Sequence, residues 1–112
     1  MWGVFEGKAG QARDGLSLLE IYLRSLIWLN LASSNVGDGG VRALAESVNV
    51  SGLTALDLSK NHVTDHGARL LVHSPYLQRL TWLRLEHNDI REPEITALRK
   101  RFEGVVDVRR QW

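Results

Sequence analysis

The chain has 112 residues, 44% of them hydrophobic, and a formal net charge of +1, which is typical of one domain with its own core. It contains no cysteine, and this excludes disulfide bridges, a cysteine nucleophile and a thiolate metal site. The near-zero net charge gives no strong argument for a nucleic-acid or membrane partner.

The first 25 residues are the least regular part of the chain. They contain neither a basic start before a short apolar stretch nor a run of about 18 apolar residues, so they predict no signal peptide and no membrane helix. A cytoplasmic location is expected on that ground alone. We interpret residues 2–5 as the remnant of a strand and residues 13–23 as a degenerate helix. The segment is either a native cap or the cut start of a longer array.

A spacing of leucines then occurs three times at a period of 27 residues, in copies that begin at positions 26, 53 and 80. It runs Leu, two residues, Leu, one residue, Leu, two residues, Asn, one residue and an aliphatic residue, with Ser34 in place of Asn in the first copy. Leucines that alternate at period two predict a short strand with one buried face. The Asn suits the turn that follows each strand.

A helix is predicted in the second half of each copy. Apolar residues at helical spacing follow candidate helix starts, which are Asp38 in the first copy, Thr64 or Asp65 in the second and residues 92–94 in the third. After the third helix, the β-prone residues 105–108 predict a final strand that covers the open edge of the sheet.

A period of about 20–29 residues with this spacing resembles the leucine-rich repeat. The strand-helix copies resemble its ribonuclease-inhibitor-like branch, and within that branch the bacterial versions, from residue 26 to about residue 103. The resemblance implies an α/β fold, a right-handed solenoid that forms a short horseshoe segment, with a parallel sheet on the concave face and helices on the convex face. The predicted division is one domain, 1–112, whose parts are a degenerate N-terminal repeat or cap at 1–25, repeats at 26–52, 53–79 and 80–106, and a C-terminal tail at 107–112.

Residues between the leucines are expected to form columns across the concave face. One column has two indoles on either side of a small residue, Trp28, Ala55 and Trp82, and the next places Asp57 beside Arg84. Strands about 4.8 Å apart would make the first column a trough and the second an ion pair. The alternative is that the indoles spread over the sheet and the ion pair is solvated and worth under ~1 kcal/mol. The predicted protein-binding residues are Trp28, Asn30, Asp57, Lys60, Trp82, Arg84 and Glu86.

Other chemistry has less support in the sequence. His62, Asp65 and His66 suggest a metal site, but the first lies at a strand exit and the others at a helix start, so no continuous helix aligns them. Residues 37–40 precede a helix as a phosphate loop does, yet the Lys-Ser/Thr of such loops is absent. No motif joins Ser, His and Asp. We therefore expect no catalytic residue, no metal and no cofactor.

The expected function is a non-enzymatic protein–protein interaction module that binds a protein partner through the concave strand face, because aromatic residues are frequent at binding hot spots. The alternative is a structural fragment or a self-associating segment of a larger array, with homo-oligomers formed through exposed ends. A small-GTPase regulator is a third possibility that rests on family resemblance alone. The basic residues at 99–110 complement a helix terminus, which favours a structural role over nucleic-acid binding. No membrane partner is expected.

Overall fold

The computed structural model describes residues 5–6 and 27–112. Within these residues no helix is long and apolar enough to cross a membrane. The degenerate helix predicted at 13–23 and the first residues of the predicted strand at 2–5 lie outside the described part. The elements, in chain order, are β1 (Phe5–Glu6), β2 (Trp28–Asn30), α1 (Gly37–Ala45), a 3-10 turn (Val48–Val50), β3 (Ala55–Asp57), α2 (Asp65–His73), β4 (Trp82–Arg84), α3 (Glu94–Arg101) and β5 (Val106–Asp107).

The strands form one sheet in the order β1-β2-β3-β4-β5. From β2 to β5 every pair of neighbours is parallel, because each intervening segment returns the chain to the same end of the sheet. Leu29 pairs with Leu56, and Leu56 pairs with Leu83. These are equivalent positions in the three copies, so the 27-residue period is the physical step of the fold. The predicted α/β repeat architecture is confirmed.

The first strand departs from the repeat. β1 pairs antiparallel with β2, through Phe5 with Leu29 and Glu6 with Trp28. A further copy of the repeat would supply a parallel strand, because its helix would carry the chain back to the starting end. The interpretation of residues 2–5 as the remnant of a repeat strand is therefore wrong for Phe5, which lies with Glu6 in a reversed edge strand.

The repeated leucines fill a single core. Leu56, Leu58, Leu83 and Leu85 are 0% exposed and belong to one cluster with residues of all three helices. Burial of one such side chain stabilises the fold by roughly 1.5–3 kcal/mol. The leucines at equivalent positions in the three helices are also buried, and they are Leu44, Leu71 and Leu98.

A ladder of buried side-chain amides joins one copy to the next where the strands end. The Oδ1 atom of Asn61 accepts hydrogen bonds from the backbone N–H groups of Ser34 and Val36, at 2.9 and 3.0 Å. Its Nδ2 atom donates to the carbonyl of Leu31 at 2.7 Å. The Asn was predicted to stabilise the turn of its own copy. The structure shows that it also stabilises the turn of the preceding copy.

The C-terminal residues continue this ladder with a glutamine. The Nε2 atom of Gln111 donates to the carbonyl of Leu85 at 2.9 Å, and its Oε1 atom accepts from the N–H of Ile90 at 3.0 Å. These are the contacts that Asn88 makes to the copy before it. Residues 107–112, the predicted C-terminal tail, thus continue the strand and amide positions of the preceding copy.

Carboxylates near the helix starts tie neighbouring copies together. Thr64 is the N-cap of α2, as predicted, with its Oγ1 atom accepting from the N–H of His66 at 3.3 Å. Asp38 was predicted to cap α1, but α1 has no side-chain cap. The Asp38 carboxylate instead accepts from the N–H and the hydroxyl of Thr64, at 2.8 and 2.5 Å. Asp65 likewise accepts from the N–H of Arg91 at 2.7 Å.

Gly67, in α2, leaves room for the Asp38 carboxylate. We expect Gly67→Ala to lower the free energy of unfolding by about 2 kcal/mol, because a Cβ atom would lie 2.7 Å from Cγ1 of Val63 and collide with Oδ1 of Asp38. Gly39→Ala in α1 is the matched control, since its Cβ meets nothing within 4 Å and alanine is favoured in helices by about 1 kcal/mol. Urea unfolding of both variants measures the difference, and two effects of the same sign and size would contradict the prediction.

Candidate protein-binding face

The parallel register brings the two predicted indoles into one column. Trp28 pairs with Ala55, and Ala55 pairs with Trp82. Trp28 and Ala55 are half-buried, whereas Trp82 is 42% exposed. With strands about 4.8 Å apart, the two indoles rise from strands roughly 10 Å apart with a methyl group between them. We call Trp28, Ala55 and Trp82 the tryptophan column.

Arg84 is oriented by two carboxylates. Its Nε atom donates to Oε1 of Glu86 at 2.5 Å, and its Nη1 atom lies 4.0 Å from Oδ2 of Asp57. The predicted pair between Asp57 and Arg84 is therefore the longer of two contacts, and the closer partner is Glu86, which the sequence did not assign to it. The hydrogen bond that Arg84 donates to Glu86 is the main cause that raises the pKa of Arg84, and the charges of Asp57 and Asp107 act in the same direction. Arg84 is therefore a cation whose orientation is fixed by these contacts.

The two carboxylates themselves are covered. Asp57 and Glu86 are each only 6% exposed, so their charges orient Arg84 while only a small part of their own surface is accessible. The Oδ1 atom of Asp57 accepts from the N–H and the hydroxyl of Ser59, at 2.9 and 2.7 Å. Asn30 makes the equivalent contact one copy earlier, because its Oδ1 atom accepts from the N–H of Ala32 at 2.9 Å.

Lys60 lies beyond the end of its strand. Ser33, Lys60 and His87, at equivalent positions, have positive φ angles of 55°, 56° and 57°, a left-handed conformation in which the chain turns away from the strand. Lys60 is exposed, and no ion pair joins it to another residue between positions 27 and 112. The structure therefore does not bring Lys60 together with the tryptophan column.

Two further residues extend the face at β5. Arg84 pairs with Asp107 in the register of β4 and β5. The Nε and Nη2 atoms of Arg109 donate to the two carboxylate oxygens of Asp107, each at 3.0 Å. The bond from Arg109 is the main cause that lowers the pKa of Asp107. Neither residue was among the predicted binding residues, although Asp107 follows a β-prone valine as Asp57 follows Leu56, and that shared pattern was the available signal.

Metal binding finds no support in the part of the chain that is described, where no three His, Cys, Asp or Glu side chains cluster as ligands. His62 and His66 are both exposed. The Nε2 atom of His66 lies 3.0 Å from Nη2 of Arg42 on the neighbouring helix. That contact faces the helix side of the molecule, away from the strands.

A family model described as Leucine Rich repeat matches residues 22–45 and 53–72. The first range begins just before the first copy of the 27-residue period and the second lies within the second copy, and the match supports a leucine-rich repeat protein. Domains of this kind generally mediate protein–protein interaction and are generally non-enzymatic. No curated protein and no solved structure matches the chain.

Proposed function

We propose that this leucine-rich repeat chain is a non-enzymatic interaction module whose protein partner binds across the strand face. The observation that carries the proposal is the tryptophan column, in which two indoles flank Ala55 in register and Trp82 is 42% exposed. Indoles bury a large area when a partner covers them and are enriched at binding hot spots. Trp82 does not belong to the buried leucine core.

The strand face is the concave side of the proposed horseshoe. Strands in a sheet are about 4.8 Å apart, whereas packed helices are about 8–10 Å apart. A stack of strand-helix copies is therefore shorter on its strand side and bends toward it. This bend gives the tryptophan column a concave setting, as in the right-handed, ribonuclease-inhibitor-like form that the repeat resembles.

The polar residues beside the tryptophan column favour binding with little loss of entropy. Arg84 is already oriented by Glu86 at 2.5 Å and by Asp57 at 4.0 Å. An arginine held in one orientation loses less side-chain freedom when a partner covers it than a mobile one does. The face thus combines an aromatic anchor with a pre-oriented cation, and both residue types are frequent at hot spots.

Trp82→Ala should weaken the binding of a peptide ligand selected on the wild-type chain by about 2 kcal/mol or more. The free energy of unfolding should change by less than about 0.5 kcal/mol, because the side chain is largely outside the core. Titration calorimetry measures the first effect and urea unfolding the second. Trp112→Ala is the matched control, since Trp112 is 66% exposed but lies against His87, with ring centroids 5.0 Å apart.

Unchanged affinity in the Trp82→Ala variant would remove the tryptophan column from the proposed function. The titrations are made at concentrations at which sedimentation shows a monomer, so that self-association does not compete with the ligand. Assembly at micromolar concentration that Trp112→Ala abolishes and Trp82→Ala leaves intact would favour the alternative of a self-associating segment.

A further inference from the structure

The charged side chains beside the tryptophan column carry one more negative charge than positive charge. Three carboxylates, Asp57, Glu86 and Asp107, face two guanidinium groups, Arg84 and Arg109. Glu86 is bonded to Arg84 at 2.5 Å, and Asp107 is bonded to Arg109 by two contacts of 3.0 Å. Asp57 is the carboxylate left without a hydrogen-bonded cation.

One carboxylate oxygen of Asp57 can still accept a hydrogen bond. Its Oδ1 atom is used by Ser59, whereas its Oδ2 atom lies 4.0 Å from Arg84 and accepts no hydrogen bond within residues 27–112. Every fully covered side-chain nitrogen or oxygen in that range has a partner, so this unpaired oxygen is not fully covered. Asp57 is only 6% exposed, and a charge so placed attracts a cation more strongly than a charge in bulk water.

The tryptophan column leads to that oxygen. Ala55 and Asp57 are two residues apart on β3 and so lie on the same face of the sheet, about 6.6 Å apart along the strand. Trp28 and Trp82 flank Ala55 on the neighbouring strands. A lysine or arginine side chain has an apolar stem of that length with a charge at its tip, and a cation near an indole face is itself stabilised.

The charge balance argues against an acidic ligand for the same place. Arg84 is an exposed cation of this face, with 43% of its side chain accessible, and Arg109 is another, which Asp107 binds at 3.0 Å. However, Glu86 already binds the Nε atom of Arg84, and Asp57 and Asp107 both add to the negative potential around it. An incoming carboxylate would be repelled by three carboxylates. An incoming cation could instead pair with Asp57, the carboxylate that lacks a hydrogen-bonded counter-charge.

We propose that the tryptophan column binds a basic side chain, lysine or arginine, of a partner protein. Trp28 and Trp82 cover its stem over Ala55, and the Oδ2 atom of Asp57 receives its charge. This inference rests on the proposed function and narrows it, because it defines the partner as a protein that presents a basic segment to the sheet.

The test begins with a phage-displayed library of random 12-residue peptides selected on the full chain. The peptides recovered are titrated by tryptophan fluorescence. We expect a lysine or arginine at one shared position, and a loss of about tenfold or more in affinity when norleucine replaces it. Asp57→Asn should weaken the basic peptide about tenfold and the norleucine peptide less than threefold. Asp89→Asn is the matched control, because it removes the same charge at a residue that pairs with Arg91 and not with the face, and it should change either affinity less than threefold.

A second variant tests the space between the two indoles and leaves the charge of Asp57 unchanged. Ala55→Leu fills the gap between the indoles and should weaken the basic peptide at least tenfold, and circular dichroism checks that each variant is folded. Selected peptides that are neutral or acidic yet still depend on Trp82 would overturn the proposal of a basic side chain and leave the proposed function in place. Full affinity of the basic peptide for the folded Ala55→Leu variant would also overturn that proposal and leave the proposed function in place. Recovery only of peptides indifferent to Trp82→Ala, or of none, would overturn both proposals.

Discussion

Asn88→Ala is expected to lower the free energy of unfolding by about 4 kcal/mol, which is a large part of the stability of a domain of this size. Asn88 is 0% exposed. Its Oδ1 atom accepts from the N–H groups of Asn61 and Val63, at 2.9 and 3.0 Å. Its Nδ2 atom donates to the carbonyls of Leu58 and Leu85, both at 3.0 Å.

Truncation would leave these backbone groups buried and unpaired. Each such group costs about 1–3 kcal/mol, and partial relaxation of the turn keeps the total below the sum of the separate costs. Two copies would be affected at once, because Asn61 and Val63 belong to the preceding turn. The loss should therefore exceed that of an ordinary side-chain hydrogen bond, which is about 1 kcal/mol.

Urea unfolding followed by far-UV circular dichroism measures the effect. Asn30→Ala is the matched control, because Asn30 is half-buried and makes one local bond, to the N–H of Ala32 at 2.9 Å. We expect about 1 kcal/mol for this control. Equal losses in the two variants would mean that the amide ladder does not join the copies.

Leu83→Ala is expected to lower the free energy of unfolding by about 3–4 kcal/mol, through lost burial and the cavity left behind. Leu83 is 0% exposed and lies in the sheet between Leu56 and Val106. Strands on both sides limit how far the core can collapse into the vacated space.

Val106→Ala is the control for this position in the repeat. Val106 pairs with Leu83 but lies on the edge strand β5 and is half-buried. Removing its methyl groups should cost about 1 kcal/mol, since the transfer free energy is partial and the edge can adjust. Urea midpoints and slopes of both variants give the comparison. A cost for Val106→Ala as large as that for Leu83→Ala would contradict the view that the interior strands carry the stability.

The period of 27 residues by itself determined most of the architecture. Each copy stacks only on its neighbours, so equal spacing along the chain becomes equal position across the sheet. For this reason the sequence predicted the parallel strands, the buried leucines and the alignment of Trp28 with Ala55 and Trp82, all of which the structure contains. The final strand near residues 105–108 was also predicted and is confirmed as β5.

Tertiary structure alone decided the features that lie between copies or where the period breaks. The direction of β1 depends on a chain reversal that no leucine spacing encodes. Gln111 lies at the position that the register of β4 and β5 gives to Asn88 one copy earlier, and its amide bonds to Leu85 and Ile90; this copy follows after fewer than 27 residues, so the period does not place it. The bond from Arg84 to Glu86 depends on side-chain orientation. Spacing along a chain places a backbone, whereas hydrogen bonds and ion pairs form only where side chains from different copies meet.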